Sequence, residues 1–196
     1  MDIFIPVIVS ILSIFGTGFA IWYKNYIDKK KIEAEECPVG KCVTEDARLL
    51  DFMDSLLSDV KADRVSIYSF HNGGIYWSGK SMQKMSMSYE VTSSGISTEM
   101  LSKQNIPVSA CIGTLKPLMT NGHFHHINVN DYPEGLCKYH LIESGVISTY
   151  QWAIMSLSGK MIGMLRIDYI KKAKKLTDDE YGKLKIFSDK LPGYLS

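Results

Sequence analysis

The sequence predicts an α+β protein, a sheet with helices packed on it, preceded by a single N-terminal transmembrane helix. Three observations carry this. Apolar residues recur at helical spacing over 45–62 and 181–191, alternating segments near 64–91 and 149–170 read as strands, and Ile3–Tyr23 is uncharged.

That run, IFIPVIVSILSIFGTGFAIWY, has 21 residues and would span roughly 30 Å, the thickness of a bilayer core. Pro6 sits in its first turn, where the missing N–H costs little. Trp22, Tyr23 and Tyr26 stand where an interfacial aromatic belt belongs, and Lys24, Lys29, Lys30 and Lys31 follow. Positive charge marks the cytoplasmic side, so the expected arrangement is a single pass in the inner membrane with the body in the cytosol. A cleaved signal peptide would want a positive start and a shorter apolar core, whereas this one has Asp2 and a full span.

Beyond this basic stub, residues 32–196 keep 18 of the 22 basic and 19 of the 21 acidic side chains. A near-neutral body excludes a nucleic-acid partner held by a basic face. The expected organisation is an anchor at 1–23, a stalk at 24–43 broken near Cys37-Pro38 and Gly40, and one domain at 44–196. In a cytosolic body all four cysteines are expected as free thiols.

The domain opens with Thr44 as N-cap and a helix whose apolar face carries Leu49, Leu50, Phe52, Met53, Leu56, Leu57 and Val60. Arg64–Phe70 reads as a strand closed by the turn residues His71-Asn72-Gly73-Gly74. Met85–Val91 alternates as a second strand, and 92–106 is weakly patterned. Val108–Met119 reads as a helix, His123–Val129 as a strand, and Gly135–Ser144 as a short helix. Thr149–Leu157 and Met161–Ile170 form a hairpin through Ser158-Gly159-Lys160. Thr177-Asp178-Asp179-Glu180 is a capping box opening the last helix.

The stretch from Leu141 to Leu191 resembles the second half of a GAF domain. Gly145, Val146, Gly159, Ile162, Gly163, Leu165, Asp168, Leu176, Glu180, Leu184 and Phe187 follow that family's order, and the first helix and strand fit its first half. The resemblance covers about 44–195. It implies a six-stranded antiparallel sheet with helices on one face and a small-molecule pocket on the other. It specifies no cofactor. The Asn-Lys…Phe…Asp-Glu signature of cyclic-nucleotide binders is absent, and Glu143 and Ser144 stand where methionine-sulfoxide-reducing members have cysteines. Cys137 lies 17 residues before Ile154, near the bilin-attachment distance, but Lys138 replaces the usual neighbouring His. SFHNGGIYWSGKSMQKMSMSYE also resembles uncharacterised stand-alone proteins of this kind, some of them phage-encoded.

Gly74–Ser81 matches G-x-x-x-x-G-K-[ST], yet Ile75-Tyr76-Trp77 fill a loop that needs small residues, and the sequence beyond alternates as a strand rather than a helix. His123, His125 and His126 cluster, but no local carboxylate completes a metal set, so they read as a polar rim. Ser81-Met82-Gln83-Lys84 lacks the partners of a catalytic S-x-x-K. No nucleophile–His–acid set is visible, so catalytic and metal-ligating residues are assigned to none.

The expected function is binding of a small ligand or partner at the membrane by a sensory or regulatory domain. Its pocket candidates are His71, Asn72, Tyr89, Glu90, His125, Tyr139, Tyr150 and Trp152. The competing expectation is an interaction protein that uses the same fold to self-associate, for instance as a homodimer, or to modulate a membrane partner.

Overall fold

The computed structural model describes residues 18–28 and 38–195. Contacts divide the chain into two units, Met1–Glu45 and Asp46–Ser196.

In the first unit, residues 18–28 form a helix, α1, with Trp22 and Tyr26 stacked one turn apart at 5.8 Å. The predicted anchor at 1–23 lies, except for 18–23, outside the described residues. Among the described residues no helix is long and apolar enough to cross a membrane.

Helix α2 runs Pro38–Asp59, so the predicted break at Gly40 and the N-cap at Thr44 are corrected, while Cys37 of the predicted Cys37-Pro38 break lies outside the described residues. Proline is tolerated in a first helical turn, and Thr44 lies inside the helix, where its hydroxyl donates to the Gly40 carbonyl at 3.0 Å.

The second unit is a six-stranded antiparallel sheet of β1 (Arg64–Ile75), β2 (Ser81–Thr92), β3 (Ile106–Pro107), β4 (His123–His126), β5 (Ser148–Met155) and β6 (Met161–Tyr169). Their order in the sheet is β3-β2-β1-β6-β5-β4. The predicted turn at His71–Gly74 is part of β1: His71 and Asn72 pair with Lys84 and Gln83, and the chain reverses only at 76–80. Gly73 permits this, because a Cβ there would come within 2.5 Å of the Lys84 side chain. Strand β4 ends at His126 rather than Val129, since the Asn128 side chain accepts from Asn130 N–H and starts a 3₁₀ turn.

Helices α2 and α5 (Asp178–Lys190) cover one face. Leu49, Met53, Val60, Leu184 and Phe187 pack there on Val65, Ile67, Leu165 and Ile167. The α5 capping box forms as the sequence predicts, with Thr177 and Glu180 satisfying each other's backbone N–H groups. The opposite face is covered by α3 (Ile112–Asn121) and α4 (Leu136–Glu143), with Met85, Met87, Leu115, Leu118 and Met164 as its apolar part. Gly163 is required where β6 crosses β1: a Cβ would lie 2.6 Å from the Tyr68 carbonyl oxygen.

Cys111 and Cys137 form a disulfide joining the turn before α3 to α4, which corrects the expectation of free thiols. Their separation of 26 residues gave no sequence signal, and the fold brings their Cα atoms to 5.7 Å, a bonding distance. Cys42 is free and exposed.

Candidate functional site

Strand alternation places Arg64, Ser66 and Tyr68 of β1, and Met164, Arg166 and Asp168 of β6, on the face under α3 and α4. The centre of that face is charged. Arg166 Nε lies 2.9 Å from Asp168 Oδ2, which is also 3.9 Å from Arg64 Nη1. Arg64 Nε reaches Glu90 at 2.9 Å, and Nη1 reaches Glu99 at 3.3 Å. The Glu90 carboxylate accepts from the backbone N–H groups of Glu99 and Met100, which fixes the 93–105 loop over the sheet. Asp168 also accepts from the Thr149 hydroxyl at 2.7 Å. These charges are buried and mutually compensated, the condition under which burial is tolerated.

Beside this network, between the sheet and the α3–α4 segment, is a cavity of about 10 Å³, room for about one water. Its walls are apolar at Met85, Ile106 and Met164 and polar at Tyr68, Gln151 and Arg166. Tyr132 is held by Thr114 at 2.7 Å and by the Gln151 amide, which donates to its oxygen at 2.9 Å. Ser66 Oγ, Tyr68 Oη and Arg166 Nη2 are buried without a hydrogen-bond partner. Native proteins rarely leave buried polar atoms orphaned, and two of these three, on Tyr68 and Arg166, belong to residues that line the cavity. Burial pushes the Tyr68 phenol well above its ordinary value, opposed by the Arg166 and Arg64 guanidinium groups and reinforced by the Asp168 and Glu99 charges. Burial alone would weaken the Arg166 charge, but Asp168, Tyr68, Tyr132 and Glu99 together more than offset it. The wall therefore offers a cation and a phenolic O–H, a pair suited to an acceptor such as a carboxylate.

The residues expected from sequence are distributed over both faces. Glu90 lies in the charge network beside the cavity. His71 is half-buried with Nε2 2.8 Å from Ser86 Oγ, and Asn72 caps the end of β1 by accepting from Gly74 N–H at 3.1 Å. The Tyr89 hydroxyl donates to Asp46 of α2 at 2.7 Å. Tyr150 and Trp152 are buried under α5, and His125 stacks on Tyr150 at 5.2 Å while meeting the Tyr181 hydroxyl at 2.7 Å. Partial burial and the neighbouring His123 and His126 hold the His125 imidazole below its ordinary value. Tyr139 is exposed on α4. The structure thus brings together His125, Tyr150 and Trp152, and keeps them apart from Glu90.

Arg64, Tyr68 and Arg166 are not among the pocket candidates that the sequence offers. For Arg166 the signal is the alternation of charged and apolar residues in Arg166-Ile167-Asp168; Arg64 and Tyr68 carry no such signal. Gly74–Ser81 spans the β1–β2 turn, with a strand and not a helix after it, so no helix N-terminus receives a phosphate. Cys137, the residue at bilin-attachment distance, is bonded to Cys111.

No family model matches the sequence, and no curated protein matches it. Solved structures do match the fold. The PixJ GAF domain of Thermosynechococcus elongatus, in its blue-light absorbing form, superposes with a TM-score of 0.61 at 11% identity, covering 82% of this chain and 88% of that one. The GAF domain region of a putative membrane protein from Geobacter sulfurreducens gives 0.58 at 11%, covering 80% and 96%. A domain of a putative two-component sensor histidine kinase from Sinorhizobium meliloti gives 0.51 at 16%, covering 74% and 86%. The chain has a GAF-like fold, and at these identities the likeness is one of fold alone.

Proposed function

We propose that this GAF-like domain is a sensory or regulatory module that binds a small, acceptor-bearing ligand against Tyr68 and Arg166. The observation that carries the reading is the orphaned pair Tyr68 Oη and Arg166 Nη2 on two residues that line the cavity. The present space fits about one water, so a larger ligand requires the α3–α4 segment to move outward. That movement is the natural output of a sensor, because it shifts the segment tied together by Cys111–Cys137.

The uncharged run before Lys24 supports a further part of the proposal: the domain is tethered to the inner membrane by residues 1–23, with its body on the cytoplasmic side. Titrating the full chain with a panel of small mono- and dicarboxylates, while following the Arg166 guanidinium resonances by ¹⁵N NMR, tests the binding. A saturable shift of those resonances is expected. Invariance across the panel counts against this ligand class.

A further inference from the structure

The two central hairpins of the sheet end in the same motif. The β1–β2 turn is Trp77-Ser78-Gly79-Lys80, and the β5–β6 turn is Leu157-Ser158-Gly159-Lys160. Their backbones match: Tyr76 N–H donates to Lys80 O and Gly79 N–H to Tyr76 O, while Ser156 N–H donates to Lys160 O and Gly159 N–H to Ser156 O. The glycines share a left-handed φ, 77° at Gly79 and 74° at Gly159, a conformation that glycine adopts without steric cost. Each loop pushes one large apolar side chain fully into solvent: Trp77 and Leu157 are both 104% exposed.

Register puts both tips at one end of the sheet. Strand β1 lies beside β6 with Ser69 opposite Gly163, so the end of β1 and the start of β6 point the same way. Between the hairpins and α3 runs a cleft of about 550 Å³, lined by Phe70, Leu115, Met119, Met155 and Met161. Apolar surface therefore continues from the tips into the molecule.

The charge of this end is one-sided. Residues 64–89, 100–130 and 144–167, which supply both hairpins and α3, contain no aspartate or glutamate, although the whole chain has 21. Exposed Lys80, Lys116 and Lys160 and half-buried Lys84 lie within them. An apolar tip with a lysine three residues on, repeated twice on an acid-free end, complements a surface that is oily inside and negative outside. Tryptophan favours the headgroup level of a bilayer, and lysine its anionic lipids.

We propose that this end of the domain docks on an anionic lipid bilayer, with Trp77 and Leu157 entering the interface and Lys80 and Lys160 contacting lipid phosphates. The inference does not depend on the ligand cavity or on the anchor. If the chain is tethered, docking sets how the domain lies on its membrane; if it is not, docking brings it there.

The test uses the full chain with phosphatidylcholine vesicles carrying brominated acyl chains, with and without a third of phosphatidylglycerol. The difference between wild-type and Trp77→Phe fluorescence isolates Trp77 from Trp22 and Trp152, whatever the anchor does. Quenching of the Trp77 component is expected only with phosphatidylglycerol. The Lys80→Gln/Lys160→Gln variant, altered at exposed loop positions, is expected to weaken docking about 30-fold, at about 1 kcal/mol per lysine. Leu157→Ser should also reduce the quenching. Trp77 unquenched in both lipids overturns the proposal, as does quenching indifferent to phosphatidylglycerol. A concentration-dependent blue shift of Trp77 without vesicles overturns it in favour of a second copy of the chain.

Discussion

The Arg166 guanidinium lies over the Tyr68 ring, its carbon 5.0 Å from the ring centroid. The contact is a cation–π pair, yet Arg166 Nη2 and the Tyr68 hydroxyl each lack a hydrogen-bond partner. The cation and the ring stabilise each other, while their outermost polar atoms remain available to a third group.

Tyr68→Phe keeps the ring under Arg166 and removes one orphan. A buried unsatisfied hydroxyl costs about 1–3 kcal/mol, so the ligand-free variant should be about 1 kcal/mol more stable than wild type in urea unfolding. A loss of stability would mean that the hydroxyl is satisfied in solution.

Asp168→Asn removes the carboxylate facing both Arg166 and Arg64. Leaving buried cations uncompensated typically costs about 3–5 kcal/mol, and the denaturation midpoint should fall accordingly. A change below about 1 kcal/mol would show that Glu90 and Glu99 suffice to balance the pair.

Asp63 carries a pH dependence. Burial would raise its pKa, but backbone N–H donation from Lys171 and Ile170, the Ser93 hydroxyl and the Lys171 charge lower it overall. A depressed carboxyl pKa contributes stability that is fully present above the unfolded value and is lost as pH falls through the folded one. The stability gap between wild type and Asp63→Asn should therefore be open at pH 7 and close below about pH 4, the ordinary range for aspartate. A constant gap would place the effect in packing instead.

The Cys111–Cys137 bridge closes a segment containing α3, β4 and the start of α4. Reducing it, or replacing both residues by serine, should lower stability by about 3 kcal/mol in the chain-entropy view. The cytosolic placement proposed from the lysines and the oxidised pair lead to opposite expectations in the cell. Acid-quenched thiol trapping of intact cells distinguishes them: free thiols at both positions support the cytosolic body, and a protected pair supports the other side of the membrane.

Much of the fold was legible because it rests on periodicity and capping. The α2 and α5 faces, the β5–β6 hairpin and the Thr177–Glu180 box are local patterns, and each appears in the structure. The site was less legible because it is assembled from the polar sides of two strands distant in sequence. Arg64 and Arg166 are 102 positions apart and meet only through Asp168 and the β1–β6 register. Among the aromatic candidates, Tyr150 and Trp152 are packed beneath α5. The β1 turn was misplaced because Asn72-Gly73-Gly74 has turn chemistry, while its role is to let Lys84 cross the strand.

The ligand-binding role of Tyr68 and Arg166 is checked by paired melting curves of wild type and Tyr68→Phe over a series of carboxylate concentrations. Wild type should show a concentration-dependent rise in Tm that is absent or strongly reduced in the variant. Equal rises in both proteins, or none in wild type at any concentration, would contradict it.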